Sequence, residues 1–154
     1  KKGALGDAEN EALTNSMRTL NAEAARAALV VQSRCATDVT GFGLLGHASH
    51  IARASKVTIR IDVAKVPLLP GAREAAERGI RTGGAERNQS YLESRVHWGA
   101  ASEVDRALMI DPQTSGGLLV AVNESQAAAY LSLVPSAVEI GEVLPAGDTG
   151  LVLA

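Results

Sequence analysis

Between Val57 and Val63 the chain alternates strictly: Val57, Ile59, Ile61 and Val63 are apolar, while Thr58, Arg60 and Asp62 are polar. A period of two places these sets on opposite faces of an extended segment, which signals a half-buried strand. Such a strand needs an apolar layer against it, and the neighbouring segments offer one in helical register. Leu44, Leu45, Ala48, Ile51 and Ala52 form one stripe. Leu13, Met17, Leu20, Ala24, Ala27 and Val31 form an earlier one, with Asn21 as a break between two helices. Asp7 is placed to cap the first of these, with Glu9 and Glu11 near its positive end.

The same logic continues along the chain. Residues 34–37 read as a short strand, and residues 71–79 as a helix after Pro67, Pro70 and Gly71, with Gly79 as its C-terminal stop. A polar stretch from Gly83-Gly84 suits a helix to about Ser94, and 101–108 suits another. Leu118 to Val122 is continuously apolar, as in a strand buried on both faces. Residues 124–134 read as a helix; Val138, Ile140 and Val143 suggest a strand, and Leu151 to Leu153 a last one. Strands and helices therefore interleave throughout. The expected fold is α+β, of α/β type: a mixed β-sheet flanked by helices, in a single domain spanning residues 1–154. Aromatics are only 3% of residues, so Ala, Val, Leu and Ile must fill the core, which suits close helix–sheet packing.

Composition narrows the functional classes. Net charge is −2 with scattered Lys and Arg, so nucleic acid is not an expected partner. The single cysteine, Cys35, excludes an internal disulfide and a cysteine-based zinc site. No apolar run approaches the roughly 18 residues of a membrane span. Neither an initiator methionine nor a signal-peptide pattern is present, and the opening Lys1-Lys2-Gly3 suggests a fragment of a longer protein.

Three segments have the makings of a site. Thr37-Asp38-Val39-Thr40-Gly41-Phe42-Gly43 lies between a strand and a helix. Its glycines permit close ligand approach, Thr40 is placed to cap the helix, a helix start favours phosphate, and Asp38 offers a hard oxygen for Mg²⁺. Strand–Gly–helix turns are common, however, and on spacing the purely structural role outweighs the ligand role. Asp111-Pro112-Gln113-Thr114-Ser115-Gly116-Gly117 enters the apolar run, and it too reads from spacing as a turn before it reads as a cleft. In Gly83-Gly84-Ala85-Glu86-Arg87-Asn88, Arg87 suits a phosphate, but pairing with Glu86 or another surface carboxylate is the stronger reading. His47 and His50, spaced i, i+3, lack a third ligand for zinc and read as surface or packing residues. Cys35 follows Arg34, which can lower a thiol pKa, yet reads better as a small buried hydrophobe. Neither a Gly-x-x-x-x-Gly-Lys-Ser/Thr loop nor a Gly-x-Gly-x-x-Gly fingerprint occurs.

Taken together, the three segments resemble one family. Thr37 to His47 is similar to its Thr-Asp-Val-Thr-Gly-Phe-Gly-Leu-Leu-Gly-His run. Asp111 to Leu119 resembles its Asp-Pro-Gln-Thr-Ser-Gly-Gly-Leu-Leu run. Gly84 to Asn88 resembles its Gly-Thr-Glu-Arg-Asn, with Ala85 in place of Thr. The first run is shared with the wider aminoimidazole ribonucleotide synthetase-like superfamily; all three in order point to selenide, water dikinase (selenophosphate synthetase). The resemblance implies the carboxy-terminal domain of an enzyme that makes selenophosphate from selenide, ATP and water, releasing AMP and phosphate. It implies a cytoplasmic homodimer whose amino-terminal half, absent here, supplies the catalytic Cys or selenocysteine, a Lys and most Mg²⁺-binding aspartates. By the same resemblance Asp38 is the one Mg²⁺ ligand in this chain, and Thr37, Thr40, Gly41, Thr114 and Ser115 line the ATP cleft. No catalytic residue falls in the chain, and Cys35 does not correspond to the catalytic cysteine. The fragment is then expected to be inactive by itself. The competing readings are a domain of another ATP-dependent enzyme of the superfamily, or a non-catalytic module that binds nucleotide or a partner.

Overall fold

The structure is a computed structural model, and it describes residues 6–154. Two helices come first, α1 (Asp7–Arg18) and α2 (Ala22–Val30), followed by β1 (Cys35–Asp38) and α3 (Gly43–Ser55). Next come β2 (Val57–Ile61), α4 (Ala72–Glu77), α5 (Gly83–Leu92), β3 (Val96–His97) and α6 (Glu103–Ile110). The last elements are β4 (Leu118–Ala121), α7 (Glu124–Leu133), β5 (Gly141–Pro145) and β6 (Leu151–Leu153). The architecture is α+β with mixed pairing, as the interleaved periodicities suggest.

The strands form two sheets where the sequence suggests one. The larger has the order β3-β6-β2-β5, with β6 parallel to both β2 and β3 and with β5 antiparallel to β2. The smaller is the antiparallel pair β1–β4, in which Thr37 faces Leu119 and Asp38 faces Leu118. The alternation at 57–61 holds at its end, where Ile61 is buried and Arg60 is exposed and pairs with Glu142 on β5. Thr58, however, is buried against expectation, its hydroxyl donating to Thr149 O and accepting from Gly147 N–H. Val63 leaves the strand for a short 3-10 turn, Val63–Lys65, started by the Asp62 side chain accepting from Ala64 N–H.

Each sheet has its own apolar cluster. Leu45, Ala48 and Ala52 of α3 pack with Ile61, Leu92, Val96, Met109, Ile110, Leu151 and Leu153 over the large sheet. Ala27, Ala28 and Val31 pack with Tyr130 and Val134 over the small one. The apolar run at β4 serves both. Leu119 packs toward the first cluster, Val120 and Val122 toward the second. It is apolar on both faces for the expected reason. Yet its residues are only half-buried, because a two-stranded sheet leaves its edges open.

Several local expectations need correction. Gly6, not Asp7, is the N-cap of α1, and Asp7 is the first helical residue. Thr40 does not cap α3; Phe42 stands there without a side-chain cap bond. Helix α6 runs to Ile110, started by a capping box between Ser102 and Asp105. Val138 and Ile140 precede β5, although Asp62 N–H does reach Ile140 O at 2.8 Å. The two-residue strand β3 carries no period a sequence can display. The stop at Gly79 is as expected: Gly79 N–H donates to Ala76 O and Ile80 N–H to Ala75 O, both at 3.0 Å.

Leu151 lies at the centre of the large sheet and is fully buried. Leu151→Ala is expected to lower unfolding free energy by about 2–5 kcal/mol. Val143→Ala on the exposed edge should change it by less than about 0.5 kcal/mol. Urea midpoints of the two variants check both values.

Candidate functional site

The three segments singled out by sequence meet at one place, the end of the β1–β4 ladder. Beyond that ladder the first two continue to pair: Val39 N–H donates to Gly117 O, Gly116 N–H to Val39 O and Gln113 N–H to Thr40 O, each at 3.0 Å. A side chain at Gly116 would drive its Cβ into the Val39 carbonyl. Gly43 turns the chain into α3 with a φ of +66°, and a Cβ there would lie 2.7 Å from the Ile110 carbonyl. Glycine alone tolerates both that backbone angle and that approach.

The third segment clamps the other two. Asn88, buried on α5, donates through Nδ2 to Gly41 O at 3.0 Å and to Ile110 O at 2.9 Å. Both partners are acceptors, so the amide nitrogen must face them. A β-carbon at Gly84 would sit 2.7 Å from Pro112 Cγ, so α5 lies close against the second segment. Thr82 donates to Asp111 at 3.1 Å. Burial pushes the Asp111 carboxyl up, against the opposing Thr82 hydroxyl and Arg81 charge. Ala85 is buried in this packing. Arg87, in contrast, is exposed and makes no ion pair among the described residues, so the expected partnership with Glu86 does not form.

His47 organises the first turn. Its Nε2 accepts the Thr40 N–H at 3.0 Å and lies 3.1 Å from the Thr40 hydroxyl. A nitrogen that accepts an N–H is unprotonated, so Nδ1 carries the proton and faces the Thr37 hydroxyl at 3.4 Å. Burial holds the His47 pKa below its usual value, His50 adds to this, and Asp38 opposes it. Phe42 stacks edge-on against both histidines, and His50 against Tyr91. The sequence reading of His47 as a packing residue was thus too modest, for its ring replaces a helix cap as the partner of Thr40.

Asp38 points outward, not into the core. Its Oδ1 accepts from Asn21 Nδ2 at 2.6 Å, and the same nitrogen reaches Gly116 O at 3.1 Å. Asn21 was legible only as a helix break; its contact with Asp38 had no local signal. Gly41 and Thr114 are exposed and Ser115 is half-buried, and neither hydroxyl of the latter pair makes a hydrogen bond among the described residues. The Thr37 and Thr40 hydroxyls, in contrast, are engaged by His47. No group of three His, Cys, Asp or Glu side chains that could hold a metal occurs among the described residues. A hard cation would find the exposed carboxylate of Asp38 here, which fits one position of a Mg²⁺ shell. Burial pushes the half-buried Cys35 thiol up, away from the reactive thiolate. No helix among the described residues is long and apolar enough to cross a membrane.

Comparison with known proteins gives a consistent picture. A family model described as AIR synthase related protein, C-terminal domain, matches residues 2–154. A selenide, water dikinase of Geobacter sp. (strain M21) is 42% identical over 144 residues, covering 90% of this chain and 41% of that protein. One from Caldanaerobacter subterraneus subsp. tengcongensis is 47% identical over 111 residues, covering 72% and 32%. One from Clostridium botulinum (strain Eklund 17B / Type B) is 41% identical over 146 residues, covering 92% and 42%. The chain therefore spans less than half the length of these relatives.

Two outcomes test this geometry. Asn88→Ala leaves two carbonyls without their donor and is expected to cost about 1–3 kcal/mol in urea unfolding. His47 titrates with a folded pKa below its unfolded one, so its contribution to stability is complete above about pH 6.5 and is lost as pH falls below that. The stability difference between wild type and His47→Gln should shrink from about pH 7.5 to about pH 5.

Proposed function

Because the chain belongs to the family of AIR synthase related C-terminal domains, we propose that it is the carboxy-terminal part of a selenide, water dikinase. In this reading the complete enzyme forms selenophosphate from selenide, ATP and water, with AMP and phosphate released. The observation that carries the proposal is convergence. Three segments far apart in sequence, each resembling a run of that family, are hydrogen-bonded to one another, and the first of them exposes the Asp38 carboxylate.

The division of roles follows from the donor set. Magnesium bound with ATP holds phosphate oxygens and offsets their charge. Asp38 supplies one hard oxygen to that ion. Thr114 and Ser115 present uncommitted hydroxyls at the rim, and Gly41 lets a phosphate approach the main chain. Thr37 and Thr40 belong to the same wall, but their hydroxyls act on the turn through His47. Asp38 is the exposed carboxylate at this place, and no group of three His, Cys, Asp or Glu side chains joins it among the described residues. The remaining ligands, the nucleophile and the dimer contacts then belong to an amino-terminal domain, in a cytoplasmic homodimer. This agrees with the share of the relatives' length that the chain covers.

The alternative of another substrate within the superfamily finds less support, since the relatives named above all carry the same name and two of them cover 90% or more of this chain. A non-catalytic role describes the 154-residue chain in isolation, which should bind ATP and Mg²⁺ weakly and turn over nothing.

Asp38 is exposed, so Asp38→Ala in the complete enzyme is expected to leave the melting temperature within about 2 °C. Mg²⁺-dependent selenophosphate formation, followed by phosphorus NMR, should fall on the order of 100-fold or more. Full activity in that variant removes the metal role, and ATP consumption without selenophosphate in the unmutated enzyme favours a different substrate.

A further inference from the structure

Asn21 is the N-cap residue of α2, yet it makes no side-chain cap bond. At such a position Asn ordinarily turns its side-chain oxygen onto an N–H of the first helical turn. Here the amide is committed elsewhere. Nδ2 donates one hydrogen to Asp38 Oδ1 at 2.6 Å and the other to Gly116 O at 3.1 Å. Both partners are acceptors, so the orientation of the amide is fixed by chemistry.

The three residues close a small circuit. Asp38 ends β1, and its neighbour Val39 exchanges main-chain bonds with Gly116 and Gly117. Gly116 then accepts from Asn21, which returns to Asp38. The carboxylate is thus tied through Oδ1 to both motif loops, while Oδ2 has no partner among the described residues.

We propose that Asn21 is a positioning residue that presets the Asp38 carboxylate for a divalent cation, holding Oδ1 so that Oδ2 faces outward as a single-oxygen ligand. The inference rests on the reading of Asp38 as the magnesium ligand and adds the group that aims it. An exposed carboxylate samples several rotamers, and fixing one before the cation arrives removes that loss of freedom from binding. A neutral amide suits the task. A Lys or Arg donor would hold the carboxylate equally well but would repel the incoming cation. Partners of this kind, which orient a ligating group through its free atom, typically alter metal affinity by about 10- to 100-fold.

The test uses the 154-residue chain, with Mn²⁺ as a paramagnetic probe read by nitrogen–proton NMR. Added Mn²⁺ should broaden the amide signals of residues 37–41 first. Asp38→Ala should abolish this selectivity; its persistence would sink the metal reading itself. Asn21→Ala should raise the Mn²⁺ concentration for half-broadening about tenfold. It should also average the Asp38 Hα–Hβ couplings, which report one side-chain rotamer in the wild type. If Asp38→Ala abolishes the broadening while a folded Asn21→Ala leaves the midpoint and the couplings unchanged, the positioning role alone is overturned. A variant-free reading covers the case in which Asn21→Ala does not fold. In wild type, Mg²⁺ should shift the Asn21 side-chain amide and the Asp38 carboxyl carbon with one midpoint, and an unmoved Asn21 signal overturns the proposal.

Discussion

A buried carboxamide must find partners or cost stability, and Asn88 finds two carbonyls that no local structure would bring together. Gly41 lies in the turn after β1, and Ile110 ends α6 just before the second loop. By serving both, α5 fixes the distance between the start of α3 and the end of α6. The close approach of Gly43 to Ile110 and of Gly84 to Pro112 then follows, since each glycine sits where a side chain would push the clamp apart. The packing of α3 against the large sheet and the shape of the outer loops therefore share one origin.

The position of the loops has a second cause in the two apolar clusters. β4 is apolar along its length because it faces a cluster on each side, and its entrance loop inherits that fixed position. Rigid scaffolding beneath a polar rim is the arrangement that lets loops hold side chains to a geometry. Here the rim carries Asp38, Thr114 and Ser115, while the hydroxyls of Thr37 and Thr40 turn to His47. The turn is held by an imidazole instead of a capping side chain, so its integrity depends on that ring staying neutral.

Elements with a strong local period were legible from sequence: the strand at 57–61 and the helix α3 stand where alternation and a helical stripe placed them, and β6 falls on its three apolar residues. Sheet membership was not, because pairing Cys35 with Ala121 is a long-range fact with no trace in either strand. For that reason one mixed sheet was expected where two exist. The expectation for Asp38 came from resemblance. On spacing, the glycines and polar residues around it look like any turn, and only their convergence distinguishes them. Asn21 and His47 escaped for a related reason. Asn at a helix boundary and His on a helix face both have ordinary uses, and nothing local shows that their side chains reach back to β1.

On the proposed reading, a single carboxylate spares this chain the repulsion among clustered aspartates. Several aspartates converging on one point repel one another until a cation arrives, and a fold that contains them all bears that repulsion in its free state. Asp38 stands at the surface with a neutral amide donor, so the apo chain carries no such penalty. On the proposed reading the like charges are divided between two domains, and the cation becomes part of what draws those domains together. Binding of metal–nucleotide would then be coupled to the approach of those domains, because Asp38 offers one oxygen to an octahedral shell.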